Sequence, residues 1–159
     1  IKVKLAMGEH SIEKVVNEAI EQLHFLIEQK AITTTFKHTP ELYTSYDYGL
    51  ILRVLVNIIS NAIKYVDLNG NIEIRAERRD HHILLSIKDD GIGISADRIG
   101  LVFDKYTQFN TDVSGALRST GLGLAFCKMT VEAHGGTISA VSRQGHGSEF
   151  IITLPAPEK

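Results

Sequence analysis

Hydrophobic residues recur along this chain with two different periods, and the switches between those periods mark out its elements. After Ser11, a residue suited to cap a helix, Ile12, Val15, Val16, Ala19, Leu23, Leu26 and Ile27 fall on one stripe, predicting an amphipathic packing helix up to about Lys30. Thr33 to Lys37 is β-branched and aromatic enough for a strand, and a turn at Thr39-Pro40 leads to a short extended piece, Leu42 to Ser45. Asp47 is placed to cap the next helix, in which Leu50, Ile51, Val54, Leu55, Ile58 and Ala62 form the buried face until a turn at Asn69-Gly70. Period two then takes over. Ile72 and Ile74 alternate with charged partners, Arg79-Asp80 makes a turn, and Ile83, Leu85 and Ile87 alternate again, which predicts a hairpin. Ser95 is expected to cap a short helix running toward Phe103, and Thr107 to Thr120, polar and small with a Gly115 and no period, reads as a long loop. A helix is expected from near Gly121 to His134-Gly135-Gly136, where a histidine beside glycine suits a helix C-terminus. Two strands close the chain, Thr137 to Ser142 and Ser148 to Leu154, joined by a glycine turn over Gln144 to Gly147. With no internal repeat and no linker inside it, the pattern describes one domain over 1–159, strands and helices in two layers.

Composition narrows the class. At 159 residues, 43% hydrophobic and 23% charged, the chain is long enough to bury a real core. A net charge of −2 leaves no overall basic field for nucleic acid. Cys127 is the one cysteine, so no intrachain disulfide forms, and its neighbours in LAFCKM mark it as helix packing. The chain starts at Ile1, shows no signal sequence and has no apolar run of eighteen, so we expect an excised cytosolic piece of a longer protein with no direct membrane contact.

Three short segments carry candidate chemistry. In NIISNAIKY, Asn57 and Asn61 are four apart, Lys64 lies three beyond Asn61 and Tyr65 four, so the side chains share a polar ridge on an otherwise apolar helix. An asparagine carbonyl oxygen suits Mg²⁺, and Lys64 suits phosphate oxygens. Taken alone, the ridge reads first as a solvated helix face. In LLSIKDDGIGIS an apolar strand ends in carboxylates and runs into a turn with glycines at 91 and 93. Asp89 is placed to accept the exocyclic amine of adenine, and the glycines permit positive φ and close main-chain approach to a ligand. Gly91, Gly93 and Ala96 also match the dinucleotide fingerprint G-x-G-x-x-G/A. That fingerprint opens a run of alternating parallel strands and helices, whereas this match lies past mid-chain after a hairpin, so the ATP reading stands above it. In STGLGLAFCKM, glycines lead straight into a helix, where backbone N–H groups and the helix dipole converge on phosphate oxygens. A plain helix start with glycine for close packing stays open for this segment. The preceding loop would act as a lid.

These segments, in this order, resemble the catalytic and ATP-binding domain of sensor histidine kinases, within the ATPase superfamily shared with gyrase, Hsp90 and MutL. NIISNAIKY resembles the asparagine box, DDGIGI the first glycine box, FDKYTQF (103–109) the phenylalanine box, TGLGLAF the second glycine box and HGGTISAVSRQGHGSEFIITLP (134–155) the closing hairpin. The resemblance runs from Asp47 to Pro155, with Ser11 to Lys37 similar to the helix and strand that open such domains. It implies an α+β fold, the two-layer α/β sandwich called the Bergerat fold, with a mixed, mostly antiparallel sheet of about five strands covered on one face by about three helices. Residues 1–10 would end a linker from a missing dimerisation domain.

Carried over residue by residue, the resemblance implies that Asn61 ligates Mg²⁺ with Asn57 nearby, and that Lys64 and Tyr65 contact the phosphates or ribose. Asp89 would bind the adenine amine, with Gly91, Gly93 and Ile94 shaping that pocket and Ser148 assisting through water. Lys105 would reach the γ-phosphate, and Thr120, Gly121, Leu122, Gly123 and Leu124 would hold the phosphates by their main chain. Asn57, Lys64 and Lys105 are the implied catalytic groups. Two departures lie around the lid: Ser119 stands where many members have a glycine, and Tyr106 and Thr107 replace the usual aromatic pair of the phenylalanine box.

Relatives that hydrolyse ATP carry a glutamate at the position of Asn57, and a neutral amide is a poor base for activating water. The implied activity is therefore transfer of the γ-phosphoryl of Mg·ATP to an imidazole on the dimerisation and histidine phosphotransfer domain, and from there to an aspartate of a response regulator receiver domain. The seven histidines, at 10, 24, 38, 81, 82, 134 and 146, are none of them followed by Glu or Asp, so the acceptor is expected outside this chain. His81 and His82, adjacent on a strand, point to opposite faces and make no metal pair. Two other readings remain: a pseudokinase that holds nucleotide as a conformational signal, and a superfamily ATPase or anti-sigma-type serine kinase.

Overall fold

The computed structural model describes residues 4–104 and 123–157. In chain order its elements are β1 (Gly8–Ser11), α1 (Ile12–Gln22), α2 (His24–Gln29), β2 (Thr33–His38), β3 (Tyr43–Tyr46), α3 (Tyr48–Tyr65), β4 (Asn71–Arg79), β5 (His82–Asp89), α4 (Ala96–Ile99), α5 (Gly123–Ala133), β6 (Thr137–Ser142) and β7 (Ser148–Pro155).

The predicted hairpin forms the middle of a five-stranded sheet. Ile72, Ile74 and Ala76 of β4 and Ile83, Leu85 and Ile87 of β5 are all buried on one face, the outcome that a period of two dictates. The strand order is β2-β4-β5-β7-β6. Among the described strands of this sheet only β2 and β4 run parallel, joined through the β3 and α3 crossover, and the other pairings are antiparallel. This is the mixed, mostly antiparallel sheet that the resemblance implied. Its buried face packs against α1, α3 and α5, with Val15, Val16, Leu55, Ile58, Ile59, Cys127 and Val131 in one core with Phe150, Ile152 and Leu154.

Of the three predicted caps, those at Ser11 and Asp47 form a side-chain bond and that at Ser95 does not. Ser11 Oγ accepts the Lys14 N–H at 3.1 Å, and Asp47 Oδ1 accepts the Leu50 N–H at 3.1 Å. Other elements differ in extent. The first helix breaks at Leu23, whose N–H turns back to Ile20 O at 3.1 Å, and the restart as α2 keeps Ile27 on the core. The helix that follows Ser95 is one turn long: the Ser95 side chain makes no cap bond to it, Gly100 follows Ile99, and the chain continues as turns. Residues 8–11, part of which was expected to end a linker, pair as β1 with β3, Gly8 opposite Tyr46 and Ser11 opposite Tyr43. Tyr46 is fully buried there and donates its hydroxyl to Ser11 O at 2.7 Å.

Cys127 is buried, and burial pushes its thiol up to about 12, which makes it inert packing as its neighbours implied. Among the described residues no group of three or more His, Cys, Asp and Glu side chains is arranged to hold a metal. No described helix is long and apolar enough to cross a membrane.

Candidate functional site

The asparagine ridge lies where α3 meets α5. Ile51, Val54, Leu55, Ile58, Ile59 and Ala62 bury the opposite face of α3, which leaves Asn57 and Asn61 half-buried. Asn57 Nδ2 donates to Gly123 O at 3.5 Å, and its amide also faces the Cys127 thiol, so it reaches from α3 to the start of α5. The side chain of Asn57 is also what a Cβ at Gly123 would meet first, at 3.7 Å. Asn61, one turn on, meets no hydrogen-bond partner among the described residues. Lys64 is 9% exposed with its ammonium over the Tyr65 ring, 5.3 Å from the centroid. Burial lowers its pKa, because no carboxylate pairs with it among the described residues, and a polyanion would reverse that penalty.

Asp89 ends β5 opposite Ile72 on one side and Ser148 on the other. The residue is 4% exposed, with Oδ1 accepting the Gly91 N–H at 2.9 Å and Oδ2 accepting the Ser148 hydroxyl at 2.8 Å. Burial raises its pKa, and the two hydrogen bonds and the Ser148 backbone partly offset this. A carboxylate has about four lone-pair positions, so acceptor capacity remains after these two bonds. Ser148 was expected to act through water, and in the structure it holds Asp89 directly.

The glycines of this turn approach protein backbone. A Cβ at Gly91 would lie 2.4 Å from Tyr65 O, and at Gly93, with φ +74°, 2.2 Å from Arg143 O. Close approach was expected to a ligand, but what these positions admit is the end of α3 on one side and the β6–β7 turn on the other. Ile92 N–H donates to Tyr65 O at 3.3 Å, and Ile94 N–H to Ser142 Oγ at 2.7 Å. The turn thus brings Asp89 and Gly93 beside the turn of α3 that carries Lys64 and Tyr65. A cavity of about 340 Å³ opens next to it, lined by Tyr65, Gly93, Ile94, Ser95, Arg98 and Gln144 among others, and neither Asp89 nor Asn61 lines it.

Gly123 and Leu124 open α5, with Leu124 half-buried against the core. Lys105, Thr120, Gly121 and Leu122, the loop to Thr120 and most of the phenylalanine box lie outside the described residues.

Sequence reasoning missed three supports of the site. Gly147, at φ +80°, would place a Cβ 2.0 Å from Asp89 O, and Ser142 links Ile94 N–H to Gly147 O, donating to the latter at 2.8 Å. The glycine pair in QGHG signalled a turn, but nothing in the sequence says which strand end that turn lies on. Asp90 accepts from Asn71 N–H and Nδ2, each at 2.9 Å, and these bonds hold its carboxyl below the usual range. They pin the glycine turn to the start of β4.

Known proteins are similar to this chain in sequence and fold. A family model described as histidine kinase-, DNA gyrase B-, and HSP90-like ATPase matches residues 46–158. The sensor protein SrrB of Staphylococcus aureus (strain NCTC 8325 / PS 47) is 37% identical over 127 residues, 80% of this chain and 22% of that protein. The chain therefore spans about a fifth of the length of such relatives. The catalytic domain of histidine kinase ThkA, nucleotide-free, superposes with a TM-score of 0.83 at 25% identity, covering 96% of each chain. The structure of ThkA in complex with response regulator protein TrrA gives a TM-score of 0.78 at 25% identity, over 95% of this chain and 42% of that one.

Proposed function

We propose a function on one premise: the chain belongs to the histidine kinase-, DNA gyrase B-, and HSP90-like ATPase family, and its relatives are sensor histidine kinases. It is the ATP-binding catalytic domain of such a kinase, and it transfers the γ-phosphoryl group to a histidine on a dimerisation domain outside these residues. The observation that carries the reading is Asp89, a buried carboxylate held by Gly91 N–H and Ser148 Oγ with acceptor capacity to spare, beside the lysine-bearing end of α3. A buried acid with a raised pKa is costly for a fold and suits a ligand that donates to it.

The residues present fit Mg·ATP. Asp89 accepts the adenine amine, Gly93 and Ile94 border the purine, and Lys64 places a buried ammonium toward the phosphates. Asn61 offers an amide oxygen with no hydrogen-bond partner among the described residues, the hard donor that Mg²⁺ takes singly alongside water and phosphate. Bound Mg²⁺ would supply charge neutralisation on the triphosphate. Lys105 and the main chain of Thr120 to Leu124 complete the phosphate contacts in this proposal.

Position 57 supports transfer over hydrolysis. Asn57 is an amide whose Nδ2 is turned to Gly123 O, so the site holds no base there for a water molecule. A neutral imidazole needs none: its nitrogen lone pair forms the bond to the γ-phosphorus as the bond to the bridging oxygen of ADP breaks. The chain's contribution is orientation and charge. An aspartate on a receiver domain then takes the phosphoryl group, and the ThkA complex with TrrA supports a response regulator as the partner. We place the domain in the cytoplasm on the same reading.

Isothermal titration with ATP, with and without Mg²⁺, tests binding, and a longer chain that includes the dimerisation domain tests transfer. Binding with phosphohistidine formed only in the longer chain is expected. Binding without transfer would favour the pseudokinase, and steady phosphate release by the domain alone would favour an ATPase.

A further inference from the structure

Lys30 belongs to none of the motifs above, yet it closes the end of the helix that carries Lys64 and Tyr65. A helix C-terminus leaves its last carbonyls without intrahelical donors. At the end of α3, Val66 N–H reaches Ala62 O at 3.1 Å and Ile92 N–H takes Tyr65 O at 3.3 Å. The three remaining carbonyls all accept from Lys30 Nζ: Ile63 O at 2.8 Å, Lys64 O at 3.3 Å and Val66 O at 2.8 Å. An ammonium has three donors, so this one is fully used, and it sits at the negative end of the helix dipole.

Lys30 is itself held rigidly. It ends α2 in a Schellman turn, with Ala31 N–H on Glu28 O and Ile32 N–H on Ile27 O, each at 3.0 Å, and Ala31 at φ 52°. Its own carbonyl accepts Asn69 N–H at 2.8 Å. Main chain and side chain together clamp it to residues 63–69.

We propose that Lys30 is a positioning residue for the nucleotide site, fixing the last turn of α3 so that Lys64 and Tyr65 stay in register with the glycine turn at Gly91–Gly93. The proposal rests on the nucleotide reading given above. Without the ammonium, three carbonyls would turn to water and the last turn of α3 would shift against Ile92. Asp89 is pinned separately, by Gly91, by Ser148 and by the Asn71–Asp90 pair next to it. Loss of Lys30 therefore acts on the phosphate side of the site and spares the purine side.

The test is isothermal titration of Mg·ATP and of adenosine into the wild-type chain, Lys30→Met, Lys30→Gln and Lys30→Arg, with Lys37→Met, an exposed lysine of β2, as control. Met keeps the aliphatic stem, Gln keeps part of the donor capacity if Met fails to fold, and Arg keeps the charge. We expect Lys30→Met and Lys30→Gln to weaken ATP about 10-fold with adenosine affinity unchanged, Lys30→Arg to recover part of the loss, and Lys37→Met to match wild type. Equal losses for ATP and adenosine would reduce Lys30 to a stabilising contact, and unchanged ATP affinity in a folded variant would overturn the proposal. A wild-type chain that does not bind ATP would instead overturn the nucleotide reading. Amide hydrogen exchange at Ile92 without nucleotide then judges Lys30 separately: faster exchange in Lys30→Met supports the clamp, and equal protection refutes it.

Discussion

Asp89→Asn pits the fold against its ligand. In the native chain Oδ1 accepts from Gly91 N–H and Oδ2 from the Ser148 hydroxyl, and the residue is 4% exposed. An asparagine keeps both contacts: its Oδ1 accepts the Gly91 N–H, and its Nδ2 donates to Ser148 Oγ once that hydroxyl rotates. The buried charge disappears and the packing stays. Because burial raises the folded carboxyl's pKa, the folded chain binds that proton more readily than the unfolded one. The charged form thus costs stability above the folded pKa, and the cost fades as pH falls through it. Asp89→Asn should therefore melt higher at neutral pH, by about 2–4 °C for a gain of about 1 kcal/mol in a chain of this size, and the gain should shrink on acidification. The ligand fares oppositely. The adenine amine loses a charged acceptor and meets an N–H group, a loss of about 1.5–3 kcal/mol, or roughly 10- to 100-fold in Kd. Thermal melts across pH and titration with ATP read both effects. A folded Asp89→Asn chain with native ATP affinity would refute the assignment of Asp89, and one that melts lower at neutral pH would refute the account of its burial.

Other perturbations address the remaining contacts. Asn57→Asp sets a carboxylate against Gly123 O in place of a donor, and Mg·ATP affinity by calorimetry should fall about tenfold, whereas native affinity would make Asn57 mere surface. Gly147→Ala forces a Cβ to within 2.0 Å of Asp89 O at φ +80°, and denaturant unfolding should show a loss of about 2 kcal/mol or more. Ala31→Gly relieves a left-handed alanine at φ 52°, and the melting temperature should rise by about 2–4 °C. ATP affinity should weaken as pH rises through the lowered pKa of Lys64, because the neutral amine no longer attracts phosphate, and a flat profile in that range would remove Lys64 from the site.

Local chemistry in this chain was readable and partnership across distance was not. Ser11 and Asp47 cap helices because an oxygen at that position meets N–H groups three residues on, a relation wholly contained in the sequence. The alternation of Ile72, Ile74, Ile83, Leu85 and Ile87 fixes which face is buried for the same reason. The pairing of β1 with β3, the parallel match of β2 to β4 and the placing of β7 between β5 and β6 depend on packing that no local period encodes. Within the site, the boxes named Asp89 and the asparagines, but glycines look alike whether they admit a ligand or a neighbouring carbonyl, and Gly91 and Gly93 admit carbonyls. His134 showed the same limit. A histidine beside glycine signalled a helix end, yet its Nδ1–H donates to Thr130 O at 2.8 Å while Nε2 accepts the Asp47 N–H at 3.0 Å, joining the end of α5 to the start of α3. Lys30 carried no signal at all, since only the fold brings it to residues 63–66.

The central claim is that one nucleotide is gripped by α3, the Gly91–Gly93 turn and the start of α5 together. A crystal structure of this chain with a non-hydrolysable ATP analogue and Mg²⁺ tests it most directly. The account predicts the purine amine on Asp89, the metal on Asn61 Oδ1 and the phosphates between Lys64 and Gly123. An empty cleft at saturating nucleotide, or a nicotinamide dinucleotide bound there in preference, would contradict it.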